Sequence, residues 1–195
     1  MRIDPHSGLV SRARHVASPN CDERPPETVV DLVVIHGISL PPGQFGGPWI
    51  DALFTNTLSP RAHPYFEQLH GLRVSSHLLI RRRGEVIQYV PLHRRAWHAG
   101  VSRFEGRERC NDFSIGIELE GADHRPYTEA QYRRLLGLLR AIMVAYPAVT
   151  PARIVGHCHV APGRKSDPGP VFDWQRLHVE LCVPGSEDET LCISP

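Results

Sequence analysis

Thr28 to Gly37 reads TVVDLVVIHG, a run in which Val29, Val30, Val33, Val34 and Ile35 crowd around Leu32 before His36 and a closing glycine. Branching at Cβ costs side-chain freedom in a helix and fits a pleated strand. Apolar residues at successive positions, without polar alternation, predict a strand covered on both faces, as in the interior of a parallel sheet. His36 stands at its C-terminal end, just before the turn-rich SLPPGQFGGP. A side chain there points into a loop-lined crevice, where open α/β sheets place their chemistry.

Outward from this strand, RVSSHLLIRRRGEVIQYVP (Arg73 to Pro91) predicts a hairpin, with Gly84 free to take a positive φ at the turn. The arginines at 81 to 83 read as a solvated hairpin end rather than a phosphate patch. DFSIGIELEG (Asp112 to Gly121) predicts another strand, its period of two placing Glu118 and Glu120 on one face and Ile115, Ile117 and Leu119 on the other. YTEAQYRRLLGLLRAIMVAYP predicts a long helix with Thr128 as N-cap, Gln131 completing a capping box and Pro147 beyond its end. ARIVGH predicts a short strand ending at His157. PWIDALF, PYFEQLH and FDWQRL predict short helices. The expected fold is one α/β domain, a mixed central β-sheet flanked by helices, over residues 28–180, with an N-terminal extension at 1–27 and a C-terminal tail at 181–195.

The chain has 195 residues, with 41% hydrophobic and 22% charged, a balance expected of a globular domain. A formal net charge of +1 argues against a nucleic-acid partner. No apolar run approaches the length of a membrane span, and the first residues lack an apolar signal-like segment, so a cytoplasmic location without membrane association is expected. The five cysteines, Cys21, Cys110, Cys158, Cys182 and Cys192, form no CxxC pair and read as reduced thiols. A monomer is expected.

Chemistry concentrates in GHCHVAPGRKSDPG, Gly156 to Gly169. If the strands ending at His36 and His157 are neighbours, both imidazoles enter one crevice. Asp167 lies close by in a proline-rich loop. Two imidazoles and a carboxylate are a common ligand set for catalytic zinc. Cys158 and His159 are equally competent ligands. If His157 continues its strand, His159 returns to the same side as His157. Strand parity alone also leaves Glu118 and Glu120 equivalent.

The stretches VVIHGISLPPGQFGGPWI, HAGVSRFEGRERCNDFSIGIELEG and GHCHVAPGRKSDPGPVFDW closely resemble the zinc-dependent N-acetylmuramyl-L-alanine amidases, and among them the cytosolic branch of cell-wall recycling. The resemblance covers roughly Asp31 to Leu177. It implies the fold shared with phage amidase lysozymes and peptidoglycan recognition proteins. It implies Zn2+ held by His36, His157 and Asp167, with Glu118 moving protons and Lys165 stabilising an oxyanion. The implied substrate is an anhydro-muropeptide, cleaved between muramic acid and L-alanine. Arg73 and Arg109 are candidates for the stem-peptide carboxylates and Trp97 for packing on sugar or peptide. His98 reads as structural.

The chain departs from the family pattern at Cys158 and His159, where a serine and an acidic residue are expected, and at Gly37, where relatives often carry asparagine. Ser76 stands where phage-type amidases have a catalytic tyrosine, which shifts proton transfer toward Glu118. Two other readings stand beside the recycling enzyme. One is a lytic amidase acting on intact peptidoglycan; the other is a non-catalytic peptidoglycan-binding module, which the full set of ligand candidates disfavours.

Overall fold

A computed structural model describes residues 1–182 of the chain. Two short strands, β1 (Arg14–His15) and β2 (Cys21–Asp22), precede the buried run, which forms β3 (Leu32–Ile38). After α1 (Trp49–Phe54) and a 3-10 helix over Pro64–Leu69 come the hairpin strands β4 (Leu78–Ile80) and β5 (Val86–Gln88). Then follow β6 (Arg95–Ala96), the small hairpin β7 (Arg103–Phe104) and β8 (Arg107–Glu108), and the long strand β9 (Ser114–Glu120). Helix α2 (Glu129–Ala145), β10 (Ile154–Gly156), the single turn α3 (His157–Val160) and α4 (Trp174–Cys182) complete the described chain.

Six strands form one mixed sheet in the order β1-β5-β4-β9-β3-β10. β3 pairs in parallel with both β9 and β10, and β9 also pairs in parallel with β4; only the β4–β5 hairpin is antiparallel. Its turn uses Gly84 at φ +82°, as the sequence requires. Every residue of β3 from Leu32 to His36 is buried, as expected for an interior parallel strand. β9 alternates glutamate and aliphatic faces as read. Its glutamate-bearing face is also covered, and all its residues are buried.

One sheet face packs Val33, Ile35, Ile115 and Ile117 against Leu135, Leu138 and Leu139 of α2 and Leu177 of α4. On the opposite face, Leu79 and Ile87 meet Phe54 of α1 and Phe66 of the 3-10 helix. Leu32, Val34, Ala99, Cys110, Phe113 and Val160 form a third apolar cluster.

The first 27 residues pack into this core. β1 adds to the sheet beside β5, β2 pairs with β6, and Val10 is fully buried. Arg24 donates to the carbonyls of Leu92, Asn111, Asp112 and Ser114 at 2.8 to 3.1 Å, closing a loop junction that would otherwise bury bare acceptors. At the other end α4 runs on through Leu181, which is buried, and Cys182. Residues 183–195, the rest of the expected tail, lie outside the described residues. Among the described residues no helix is long and apolar enough to cross a membrane, and Cys21, Cys110, Cys158 and Cys182 are free thiols.

The capping box forms as read. Thr128 Oγ1 accepts from Gln131 N at 3.2 Å, and Gln131 Oε1 accepts from Thr128 N at 3.0 Å. Both residues also tie the helix to the sheet. Thr128 Oγ1 donates to Arg82 O, and the buried Gln131 amide donates to Ile80 O and Glu120 O. Thr128→Ala should lose about 1 kcal/mol from the cap alone, lowering Tm by roughly 2–4 °C. Thr128→Ser should recover most of it. Scanning calorimetry of the two variants provides the check.

Candidate metal centre

Parallel pairing does the first work at the site. β3 and β9 align His36 with Glu118, and β3 and β10 align Ile35 with Gly156, so His36, Glu118 and the start of α3 come level at one end of the sheet. His157 does not extend β10; it opens the helical turn of α3. That change of period removes Cys158 and His159 from the side facing His36. His159 Nδ1 instead accepts from Gly156 N at 3.0 Å, and its ring lies against Trp174. Cys158 N donates to Asp167 O at 3.0 Å, which tethers the following loop.

The three expected ligands converge. His36 Nδ1 and His157 Nδ1 are 3.0 Å apart, and Asp167 Oδ2 lies 3.2 Å from the first and 3.1 Å from the second. Donors about 2.05 Å from a tetrahedral ion sit about 3.3 Å from one another, so this triangle has the size of one face of a zinc site. Both histidines are buried.

The outer hydrogen bonds set the proton positions. His157 Nε2 donates to Ala99 O at 3.1 Å, leaving Nδ1 as a lone pair facing the cluster. Ser114 Oγ spends its hydrogen on Cys110 O, so at 3.2 Å it accepts from His98 Nε2. His98 Nδ1 is then an acceptor, 2.9 Å from His36 Nε2, and His36 Nδ1 is also left unprotonated. His98 therefore holds the first ligand in its binding tautomer, a role its reading as merely structural missed. The signal was Gly116: a Cβ there would come within 2.5 Å of His98 Cγ, so the glycine in the middle of β9 admits the ring.

Burial keeps His36 and His98 neutral. It drives His36 down to about 4, with Asp167 pulling the other way, and drives His77, whose ring lies beside His98, down to about 3; His98 also falls well below the usual range. Burial alone would raise the Asp167 carboxyl, but the facing His157 and His36 pull it far below the carboxylate range. Two imidazoles that turn a lone pair to the cluster and one carboxylate are a donor set that fits a divalent ion.

Glu118 and Glu120 separate. Glu118 lines a cleft of about 660 Å³ together with His36, His157, Asp167 and Lys165. Its Oε2 is buried without a hydrogen-bond partner, and burial, then the Asp167 charge, push its carboxyl well above the ordinary range against the pull of Lys165. Glu120 faces away from this cleft. It accepts from Gly46 N, Arg82 N and, at 3.1 Å, the Arg81 guanidinium. Lys165 is exposed at the cleft margin, its backbone N–H held by Ala161 O.

None of the three expected substrate contacts lines the cleft. Arg73 borders a small hollow with Asn56 and His70 that adjoins the cleft through Leu53, Leu69 and Leu72. Trp97 is half-buried, its Nε1 donating to Asp22 Oδ1 at 3.1 Å. Arg109, at φ +59°, pairs with Asp112 and faces a neighbouring hollow lined by Arg103 and Arg164. Side-chain chemistry nominated these residues, but their direction depends on loops whose path the sequence does not specify.

Two histidines and a loop carboxylate that could hold a metal ion converge beside a buried glutamate at one end of the sheet, and the chain belongs to the N-acetylmuramoyl-L-alanine amidase family, whose model matches residues 25–170. It is 59% identical over 172 residues to the 1,6-anhydro-N-acetylmuramyl-L-alanine amidase AmpD of Escherichia coli K12, covering 88% of this chain and 93% of that one. The crystal structure of a selenomethionine AmpD derivative superposes with a TM-score of 0.89 at 57% identity, covering 93% of this chain and 99% of the other. The Escherichia coli amidase AmiD, solved with anhydro-N-acetylmuramic acid-L-Ala-D-γ-Glu-L-Lys, gives a TM-score of 0.59 at 27% identity over 83% of this chain and 65% of that one.

The neutral histidines make the metal-free fold acid-sensitive. An unfolded histidine takes up its proton near pH 6.5, whereas folded His36 and His77 do so only near 4 and 3. The unfolded chain thus binds more protons in this window, and stability falls as pH drops from about 6.5 to 4, by up to about 1.4 kcal/mol per pH unit per histidine. Glu118 acts oppositely, since its raised folded pKa gives stability that is lost as pH rises above its unfolded value. Tm of chelator-treated protein should therefore fall from pH 7 to pH 5, and Glu118→Gln should steepen the fall. A flat profile in both proteins would contradict the neutral assignment.

Proposed function

We propose that the chain uses one zinc ion, held by His36, His157 and Asp167, to hydrolyse the amide between the lactyl carbonyl of anhydro-N-acetylmuramic acid and L-alanine. The observation that carries this reading is the donor triangle with an unpartnered Glu118 oxygen in the same cleft. Bound there, zinc supplies Lewis-acid polarisation and brings water ionisation toward neutral pH. Glu118 accepts a proton from the attacking water and returns it to the leaving amine; its raised pKa suits a group that must both take and give. Lys165, at the cleft margin, stabilises the oxyanion, a task worth ~3 kcal/mol. Ser76 on the neighbouring hairpin is fully buried, which leaves proton transfer to Glu118.

A soluble anhydro-muropeptide is the substrate this reading selects, processed by a cytoplasmic monomer in cell-wall recycling. Its support is the identity to AmpD over nearly the whole of both chains and the anhydromuramyl peptide bound by AmiD. Arg73, Arg109 and Trp97 contribute to this reading only if their loops turn toward the cleft on binding.

Elemental analysis should find one zinc per chain, with much less in His36→Ala and Asp167→Ala. Glu118→Ala should retain zinc while losing roughly 10²–10⁴-fold in turnover. Glu120→Ala should behave differently, losing roughly 1–3 kcal/mol of stability because it leaves the Gly46 and Arg82 amides without their acceptor while Arg81 keeps Asp51, and the folded fraction keeps its turnover. Anhydro-muramyl tripeptide should be cleaved faster than sacculi at matched amide concentration, by mass spectrometry of products. Equal or faster release from sacculi would move the assignment to a lytic wall amidase.

A further inference from the structure

Asp167 is the one ligand carried by a loop, and something must hold that loop where its carboxylate meets both imidazoles. The residue beside it, Pro168, is seated in a notch between two glycines. A Cβ on Gly156, just before His157, would come within 2.9 Å of Pro168 Cδ; one on Gly37, just after His36, would lie 3.5 Å from Pro168 Cα. Each histidine ligand is thus flanked by a residue without a side chain, and Pro168 rests on both.

Tyr127 closes this notch. Its hydroxyl donates to Pro168 O at 2.9 Å, and the side chain is buried. The space it occupies has been cleared for it. A Cβ on Gly37 would strike Tyr127 Oη, and one on Gly121, next to Glu120, would strike Tyr127 Cε1, both closer than real Cβ contacts come. The ring packs edge-on against Phe172 at 5.6 Å, and Phe172 also meets Tyr132 and Trp174. Tyr127 directly precedes Thr128, the N-cap that α2 bonds to the hairpin turn through Arg82 O. The hydroxyl is therefore delivered by a part of the backbone anchored to the sheet that carries His36.

We infer that Tyr127 is a positioning residue for the metal centre: its hydroxyl, reaching past Gly37, fixes Pro168 and so places the Asp167 carboxylate between His36 and His157. The inference rests on the reading of that triad as a metal site. It separates the roles of ring and hydroxyl. The ring fills a core space that any aromatic would fill, whereas the hydroxyl acts only on the loop carrying the third ligand. Gly37 belongs to the same device, because a side chain there competes with the hydroxyl for one place.

The test uses the full chain loaded with cobalt(II) as a spectroscopic probe and with zinc in competition with a chelator. Wild type should bind one ion with a defined visible d–d spectrum. Tyr127→Phe keeps the ring and should weaken metal binding about tenfold, the scale of outer-shell ligand support, with a changed d–d band. Gly37→Ala should produce the same changes by displacing the hydroxyl. Tyr127→Phe with Gly37→Ala should then be no worse than Tyr127→Phe alone, since both remove one interaction. Tyr127→Phe with wild-type affinity and spectrum, even if its metal-free Tm is lower, would reduce the tyrosine to core packing and overturn the inference. Fully additive losses in the double variant would overturn the shared role of Gly37 and Tyr127. Failure of the wild type to bind either ion would instead remove the metal-site reading, and this inference with it.

Discussion

The parallel register of β3 between β9 and β10 is the constraint on which the site depends. From Leu32 opposite Ser114 to Ile38 opposite Glu120, the pairing leaves no freedom to slide. A shift by one residue would send His36 into the α2 face of the sheet and an isoleucine into the cleft. Parallel pairing sets His36 beside Glu118 near the ends of β3 and β9, and the end of β10 beside Ile35 brings His157, the next residue, to the same level. His36, Glu118 and His157 thus come from three separate parts of the chain without any loop having to place them.

What surrounds these groups decides their protonation. Buried imidazoles are poor sites for charge, and the chain from His36 through His98 to Ser114 gives every ring nitrogen one defined role. The same lack of water that keeps the histidines neutral raises Glu118, whose upper oxygen finds no partner in the protein. Asp167 is held far below the carboxylate range, against its burial, by the two histidines that face it. Burial therefore prepares neutral donors and a proton carrier within a single cleft, while the anion is held there against it.

Glycines make this density attainable. Gly116 admits the His98 ring, Gly37 and Gly121 admit Tyr127, and Gly156 admits Pro168. None of these four sits at a positive φ, so their value is the missing Cβ and the close approach it allows. Glu120, one strand position pair beyond Glu118, shows the contrast. Its carboxylate is spent on Arg81 and two backbone amides, where it secures the hairpin and the Gly46 loop rather than any chemistry.

Local pattern settled much of this protein. Strand periodicity, the β-branched run before His36, the Thr128–Gln131 capping box and the hairpin glycine are all properties of short segments, and each formed as its residues dictate. The candidate ligands His36, His157 and Asp167 were legible because few residue types bind a metal and these lie in turn-rich stretches. Tertiary structure decided the rest. Parity could not separate Glu118 from Glu120, since both occupy one face; Arg81 and the Gly46 loop, distant in sequence, claimed Glu120. Parity also allowed His159 as a ligand until the chain turned helical at His157. The directions of Arg73, Trp97 and Arg109, the ring of His98 over Gly116 and the reach of Tyr127 past Gly37 depend on close approaches between segments far apart in the chain. Such approaches leave no periodic trace in a sequence, because the residue that permits them is often a glycine and its partner lies dozens of positions away.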